Sequence, residues 1–165
     1  MLEIEQTILG LGSALKTRGL MLATAESCTG GLIAGALTEV SGSSDWFRGG
    51  VVAYANVVKI KLLSVPQETL LTHGAVSEAV VLAMARGALD ALDAQVAVAV
   101  SGVAGPTGGS PDKPVGTVWI AWAWPGGEQA VRYLFPGDRE TVRRATVEQA
   151  VKGLAERIGR STVLA

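Results

Sequence analysis

The chain has 165 residues, of which 48% are hydrophobic and 18% charged, and this composition is typical of a folded, core-rich domain rather than a disordered chain. A formal net charge of −1 excludes a general attraction to nucleic acid or to an anionic membrane, so any anion site must be local. The single cysteine, Cys28, excludes an internal disulfide and a cysteine-based zinc site, and indicates a cytoplasmic protein.

The amino-terminal segment predicts a helix rather than a targeting signal. Glu3 and Glu5 stand where a signal peptide would be basic, and no apolar run reaches the ~18 residues of a membrane span. Apolar residues recur at helical spacing until Gly19: Ile4, Ile8, Leu11 and Leu15. We therefore expect no membrane association.

The next elements alternate between strand and helix. We predict a buried strand at residues 20–25, a helix at 29–40, and a loop at 41–50. A strand at 51–56 and a short helix at 57–63 follow, with Asn56 as the expected N-cap of that helix.

The second half of the chain predicts a helix, a strand, a hairpin and a final helix. Ser77 is a good cap for the helix, residues 95–100 form an interior strand, and residues 101–114 form a loop rich in Gly and Pro. A β-hairpin turns at residues 125–127, and the last helix opens at Gly137 and Asp138. This order predicts an α/β protein, a three-layer α/β/α sandwich on a mixed sheet.

The segment TAESCTGG, residues 24–31, follows a predicted strand, where ligands collect in such sheets. Backbone N–H groups of Cys28, Thr29, Gly30 and Gly31 would suit an oxyanion or a phosphate at the start of a helix. Ser27 would then be a nucleophile. The alternative, favoured on this segment alone, is that Ser27 or Thr29 only caps the helix.

A nucleophilic serine needs a base. The single histidine, His73, has no acidic partner nearby in sequence and is expected in a turn or at the surface. Lys59 falls in the first turn of a short helix, where the helix dipole and burial would both lower its pKa, although a surface lysine is the common alternative. Lys61 is predicted to be solvated. Cys28 is either a thiolate slightly favoured by the helix start or a small core residue.

Further along the chain, SGVAGPTGG (residues 101–109) either forms a backbone nest for an anion or is a flexible connector. Arg139, Arg143 and Arg144 cluster at the start of the last helix, where a phosphate or pairing with nearby glutamates would explain them. Tyr54 would stack on a flat ring or fill a sheet face. Three tryptophans are predicted to be core or interface residues rather than a nucleic-acid platform: Trp119, Trp122 and Trp124. No cluster of His, Asp or Glu has metal-ligand spacing.

Six segments in order resemble one family, the carboxyl-terminal domain of the CinA competence/damage-inducible proteins. They are AESCTGG (25–31), YAN (54–56) followed by Lys59, HGAVSE (73–78), SGVAGPTGG (101–109), KPVGTV (113–118) and GDRETVRR (137–144). The resemblance covers residues 4–158, and we expect residues 1–165 to form a single, stand-alone domain of this type.

The resemblance implies an amidase that hydrolyses nicotinamide mononucleotide to nicotinic acid mononucleotide and ammonia, with a catalytic pair that matches Ser27 and Lys59. In the mechanism we expect, N–H groups among residues 28–31 hold the oxyanion, Tyr54 lies near the pyridine ring, and no metal or organic cofactor takes part. The phosphate would be held by one or both of Arg139 and Arg143 together with glycines of the loop: Gly102, Gly105, Gly108 and Gly109.

Two other functions stay open at this point. One is a non-catalytic nucleotide-binding or protein-interaction module of the same fold, and the other is an amidase for a different small amide, such as another pyridine or a pterin. The apolar strands that carry the tryptophans favour self-association, and we expect a homo-oligomer, with a dimer as the preferred form.

Overall fold

A computed structural model describes residues 2–160 of the chain. In order, the elements are α1 (Leu2–Thr17), β1 (Leu22–Glu26), α2 (Leu32–Thr38), a short 3-10 helix (Ser43–Asp45), β2 (Phe47–Val52), α3 (Asn56–Leu63), α4 (Gln67–His73), α5 (Glu78–Leu92), β3 (Val96–Gly102), β4 (Thr117–Trp124), β5 (Gly127–Leu134) and α6 (Arg139–Arg160). The strands form one mixed sheet in the order β2-β1-β3-β4-β5. β1 pairs parallel with β2 and β3, whereas β4 pairs antiparallel with β3 and β5.

Two hydrophobic cores lie on opposite faces of this sheet. On one face Leu15 of α1, Leu37 of α2 and Leu154 of α6 are buried against the strands. On the other face, α3, α4 and α5 bury apolar side chains such as Leu70 and Met84. The predicted three-layer α/β/α sandwich on a mixed sheet is therefore confirmed.

Side-chain alternation along β1 decides which residues face which layer. Ala23 and Ala25 belong to the core under α3 and α5, so Glu26 faces α2 and Ser27 faces α3. The close contact between α3 and α5 requires a glycine at position 87, because a Cβ there would overlap the carbonyl oxygen of Leu63 at the end of α3. A glycine in α5 thus lets the helix that carries Lys59 approach the sheet.

The predicted position of the second strand was wrong. β2 spans Phe47–Val52 instead of residues 51–56, and it includes a pair of glycines that we had assigned to a loop. Gly50 lies opposite Thr24 of β1, where a Cβ would overlap the Thr24 hydroxyl. This glycine therefore serves close strand pairing, which local sequence patterns do not distinguish from a turn.

Helix boundaries in the first half also differ from prediction. α2 begins at Leu32, because residues 28–31 form a turn in which Gly30 and Gly31 have φ angles of 60° and 105°. Ala55, not Asn56, is the N-cap residue of α3, and no side chain caps that helix. α4 was not predicted. Its N-cap is Pro66, which we had interpreted only as the end of the preceding region.

The later elements agree with prediction, except that β3 extends to Gly102, so Ser101 and Gly102 lie in the strand and not in the predicted loop. Ser77 caps α5 by accepting from the Val80 N–H at 3.3 Å, and β4 and β5 form the hairpin. Trp122 is buried and donates from Nε1 to the Ala150 carbonyl, and the other two tryptophans pack against the cores, which confirms their core interpretation. Within residues 2–160, no helix combines the length and the hydropathy that crossing a bilayer requires.

Candidate active site

The carboxyl end of β1 and the buried face of α3 bring Ser27 and Lys59 together. The Ser27 N–H donates to the Val100 carbonyl of β3 at 3.0 Å, which extends the β1–β3 pairing by one residue. Lys59 and Leu63 are four residues apart and both buried, so they share the face of α3 that points to the sheet. Lys59 Nζ lies 3.0 Å from Ser27 Oγ, at hydrogen-bond distance.

The amine of Lys59 is removed from water but surrounded by oxygen atoms. Lys59 is 1% exposed, and Nζ also donates to the carbonyls of Ala53 at 2.9 Å and Tyr54 at 3.0 Å. Burial lowers the pKa of Lys59, because the ammonium form loses its hydration. The cause is desolvation, as expected, and it favours the neutral amine that a general base requires.

Cys28 is a buried thiol and not an activated one. Burial raises the pKa of Cys28 to about 12, so the group is neutral at physiological pH. The slight preference for thiolate that we expected from a helix start is outweighed by desolvation. A neutral Cys28 also adds no negative charge that would stabilise the ammonium form of Lys59.

A carboxylate that our sequence reasoning missed occupies the start of α2. Glu26 is 1% exposed and accepts from the N–H groups of Ile33 at 2.8 Å and Ala34 at 2.9 Å, and from Thr29 Oγ1 at 2.6 Å. The N–H groups of Ile33 and Ala34 in the first turn of α2 are thus satisfied by the chain itself and do not bind a ligand anion. The signal available in the sequence was the acidic residue directly before Ser27.

The turn between β1 and α2 offers other donors. The Gly30 N–H donates to the Ser27 carbonyl at 3.1 Å, whereas no backbone carbonyl within residues 2–160 accepts from the N–H groups of Cys28, Thr29 or Gly31. Gly31 is the N-cap residue of α2, without a side-chain cap bond. The alternative in which Ser27 or Thr29 only caps the helix is therefore wrong.

Arg143 of α6 holds the same turn from its carbonyl side. Its Nε donates to the Cys28 carbonyl at 3.1 Å and its Nη2 to the Thr29 carbonyl at 3.3 Å. Because the C=O and N–H of a trans peptide point in opposite directions, a guanidinium that fixes these carbonyls also fixes the direction of the neighbouring N–H groups. The structure thus places Arg143 at the turn behind Ser27.

A cavity of about 190 Å³ opens in front of the Ser27–Lys59 pair. It is lined by Ser27, Cys28, Tyr54, Asn56, Lys59, Ala75, Val76, Ser101, Gly102, Ala104 and Arg139. Among the predicted site residues, seven do not line it: Thr29, Gly30, Gly31, Gly105, Gly108, Gly109 and Arg143. Asn56 lines it although we predicted it only as a helix cap, and Ser101 lines it although we considered its hydroxyl only as part of an anion nest in the glycine-rich loop.

Tyr54 and Arg139 form the rim of this cavity. Tyr54 is 61% exposed, and its hydroxyl lies 3.4 Å from Arg139 Nη2. Arg139 Nη1 donates to the Gly105 carbonyl at 2.9 Å, which ties the glycine-rich loop to the rim.

His73 lies at the exposed end of α4 and Lys61 is exposed on α3, as predicted for both. Among residues 2–160 no group of His, Cys, Asp and Glu side chains is arranged to hold a metal ion.

Comparison with known proteins identifies the family. A sequence model of the CinA C-terminal domain matches residues 4–158. The chain belongs to the CinA C-terminal domain family. The predicted resemblance and its extent are thereby confirmed.

Three relatives in the CinA family match over nearly their whole length. A protein of Escherichia coli (strain K12) named nicotinamide-nucleotide amidohydrolase PncC is 49% identical, over 97% of this chain and 98% of that protein. A protein of the same name from Pseudomonas putida is 54% identical, over 88% of this chain and 91% of that protein. The crystal structure of a CinA superfamily protein from Klebsiella pneumoniae 700603 has a TM-score of 0.91 at 40% identity, and covers 96% of this chain and 99% of that chain.

Proposed function

We propose that this chain is a nicotinamide-nucleotide amidase that hydrolyses nicotinamide mononucleotide to nicotinic acid mononucleotide and ammonia. The observation that carries the proposal is the buried amine of Lys59, 3.0 Å from Ser27 Oγ at the floor of a cavity. The names of two relatives at 49% and 54% identity support the substrate.

In the first step, neutral Lys59 accepts the Ser27 proton while Oγ attacks the carboxamide carbon. A neutral amine has two hydrogens and one lone pair. The carbonyls of Ala53 and Tyr54 take the two hydrogens, so the lone pair is left for the Ser27 hydroxyl. These two backbone contacts therefore orient the base.

The developing oxyanion is stabilised by the backbone N–H group of Cys28, which is the residue of the turn at 28–31 that lines the cavity. Thr29 and Gly31 do not line the cavity, and the Gly30 N–H donates to the Ser27 carbonyl. Loss of one such donor typically raises the barrier by about 3 kcal/mol. The contacts of Glu26 and Arg143 hold the turn before substrate arrives, which is the preorganisation that this stabilisation requires.

Collapse of the intermediate then breaks the C–N bond, and the leaving nitrogen takes the proton from Lys59 to depart as ammonia. A water molecule next gives a proton to Lys59 and attacks the acyl-enzyme, which releases the carboxylate and restores Ser27. This cycle uses no metal and no organic cofactor.

The cavity accommodates the reactive end of the substrate. At about 190 Å³ it is smaller than the roughly 300–1000 Å³ of pockets that enclose a whole small ligand, so the pyridine carboxamide enters and the ribose phosphate stays at the rim. Arg139 is the guanidinium at that rim and binds the phosphate, with Tyr54 beside the ring. The loop that contains Gly105, Gly108 and Gly109 supplies further backbone N–H donors to the phosphate.

The test measures ammonia release from nicotinamide mononucleotide by the wild type and by Ser27→Ala, with the exposed Ser13 of α1 changed to alanine as the control. We expect Ser27→Ala to lose activity by at least about 1,000-fold while it stays folded. A wild type that binds the nucleotide but releases no ammonia would instead indicate a non-catalytic binding module. Ammonia release from another amide, but not from nicotinamide mononucleotide, would indicate a different amidase. Full activity of Ser27→Ala would refute the role of Ser27 as the nucleophile.

A further inference from the structure

One buried hydroxyl at the cavity has no hydrogen-bond partner among residues 2–160. Ser101 is 1% exposed and lines the cavity, and no residue in the described part of the chain forms a hydrogen bond with its Oγ. Buried hydroxyls in native proteins are normally hydrogen-bonded, so an exception that faces a cavity calls for a ligand atom as its partner.

The sheet register places this hydroxyl beside the nucleophile. Ala25 pairs with Ala99 across β1 and β3, and the Ser27 N–H donates to the carbonyl of Val100. Ser27 and Ser101 therefore occupy neighbouring positions on adjacent strands, at a Cα separation of about 5 Å. Side-chain alternation points both toward the layer that contains Lys59.

The other polar groups around Ser27 are already assigned. The turn after Ser27 supplies the N–H group of Cys28, a donor that suits the carboxamide oxygen and not its nitrogen. The carbonyls of Ala53 and Tyr54 accept from Lys59. The oxygen and the nitrogen of a carboxamide lie on opposite sides of its carbon, so a substrate with its oxygen in the turn presents its NH₂ group away from the turn. Ser101 Oγ is an acceptor without a partner on the neighbouring strand.

We propose that Ser101 Oγ accepts a hydrogen bond from the carboxamide nitrogen of the substrate, and so selects an amide for attack by Ser27. This inference rests on the proposed function. Ser101 forms no covalent bond and keeps its own proton: when the C–N bond breaks, the electron pair leaves with nitrogen and the proton comes from Lys59. The hydroxyl holds the leaving nitrogen until it departs as ammonia.

The test compares two substrates that differ only at the leaving group, nicotinamide mononucleotide and the methyl ester of nicotinic acid mononucleotide. We expect Ser101→Ala to lower kcat/KM for the amide by about tenfold, the usual loss for one neutral hydrogen bond. The ester has no hydrogen to donate from its leaving group, so its kcat/KM should stay within about twofold of wild type. Ser101→Cys keeps the size of the side chain and is expected to repeat this selective loss, and it replaces Ser101→Ala if that variant does not fold.

The matched control is Thr24→Val. The Thr24 hydroxyl is also buried without a partner, but it lies against Gly50 and not in the cavity, so both substrates should be unaffected. If Ser101→Ala lowers kcat/KM equally for the amide and the ester, or for neither, the role of Ser101 is overturned. The proposed function still stands in that case, provided that the wild type releases ammonia from the nucleotide. A wild type that releases no ammonia refutes the proposed function, and the inference with it.

Discussion

Glu26→Gln is the change that most directly tests how the catalytic turn is held. The Glu26 carboxylate accepts three hydrogen bonds, two from the start of α2 and one from Thr29 Oγ1. Glutamine has the same shape but only one acceptor oxygen. If that oxygen keeps the hydrogen bonds from Thr29 Oγ1 and the Ile33 N–H, the amide NH₂ faces the N–H of Ala34. Two donors then face each other with no acceptor between them.

The structure sets the size of this effect. A hydrogen bond to a charged group contributes about 1.5–3 kcal/mol, and the donors left unpaired add to its loss. We therefore expect Glu26→Gln to lower the free energy of unfolding by about 2–4 kcal/mol. Since the turn contains Cys28, whose N–H group is the proposed oxyanion donor, kcat should fall about tenfold or more with little change in KM, the pattern of an interaction made only in the transition state.

Urea denaturation gives the free energy of unfolding, and ammonia release gives kcat and KM. Glu78→Gln is the control, because Glu78 is an exposed glutamate in the first turn of α5 and should contribute no more than about 0.5–1 kcal/mol through the helix dipole. An unfolding free energy of Glu26→Gln equal to that of the control, together with an unchanged kcat, would show that the carboxylate does not hold the turn.

Three further changes test the site. Lys59→Met should release no ammonia at neutral pH. In the wild type the rate should rise with pH up to the lowered folded pKa of Lys59 and level off above it, because the neutral amine is the proposed base. The unfolding free energy should rise with pH between that folded pKa and the ~10.4 of an unfolded lysine, because the unfolded state binds more protons there, and Lys59→Met should lack this stability slope. Arg139→Met should raise KM for the nucleotide at least about tenfold, and an unchanged KM would place the phosphate elsewhere. Cys28→Ser should stay active and iodoacetamide should leave the wild type active, since the Cys28 thiol has a pKa of about 12; rapid inactivation would contradict this.

The architecture was predictable because its signals are local. The cap residue Ser77, the apolar strand before residue 101 and the hairpin turn each depend on a few adjacent residues, and the structure confirms them. The position of β2 was predicted wrongly because its glycines are required by a contact between neighbouring strands, which the local sequence does not show. Gly50 makes room for Thr24, which is 26 positions earlier in the chain.

The site could be predicted only in part, for the same reason. Ser27 and Lys59 stood out because a nucleophile needs a base, and resemblance to the CinA family pointed to the same two positions. The partners of Arg143 could not be predicted, since the carbonyls of Cys28 and Thr29 are more than 110 positions away in the chain. The Ser101 hydroxyl was considered only as part of an anion nest in the glycine-rich loop, and the sequence did not show that the register between β1 and β3 places it beside Ser27.

Alternation along β1 also explains how the buried Lys59 keeps a lowered pKa although an acidic residue lies next to Ser27 in the sequence. A carboxylate beside Lys59 would stabilise the ammonium form and raise its pKa. Glu26 is adjacent to Ser27 in sequence, yet it points to the opposite face of the sheet, where Thr29 and the start of α2 occupy its oxygens. Within residues 2–160 no carboxylate forms an ion pair with Lys59. A shift of one residue in strand register would bring the carboxylate to the side of the amine, so the period of two in β1 keeps the carboxylate away from Lys59 and the turn anchored at the same time.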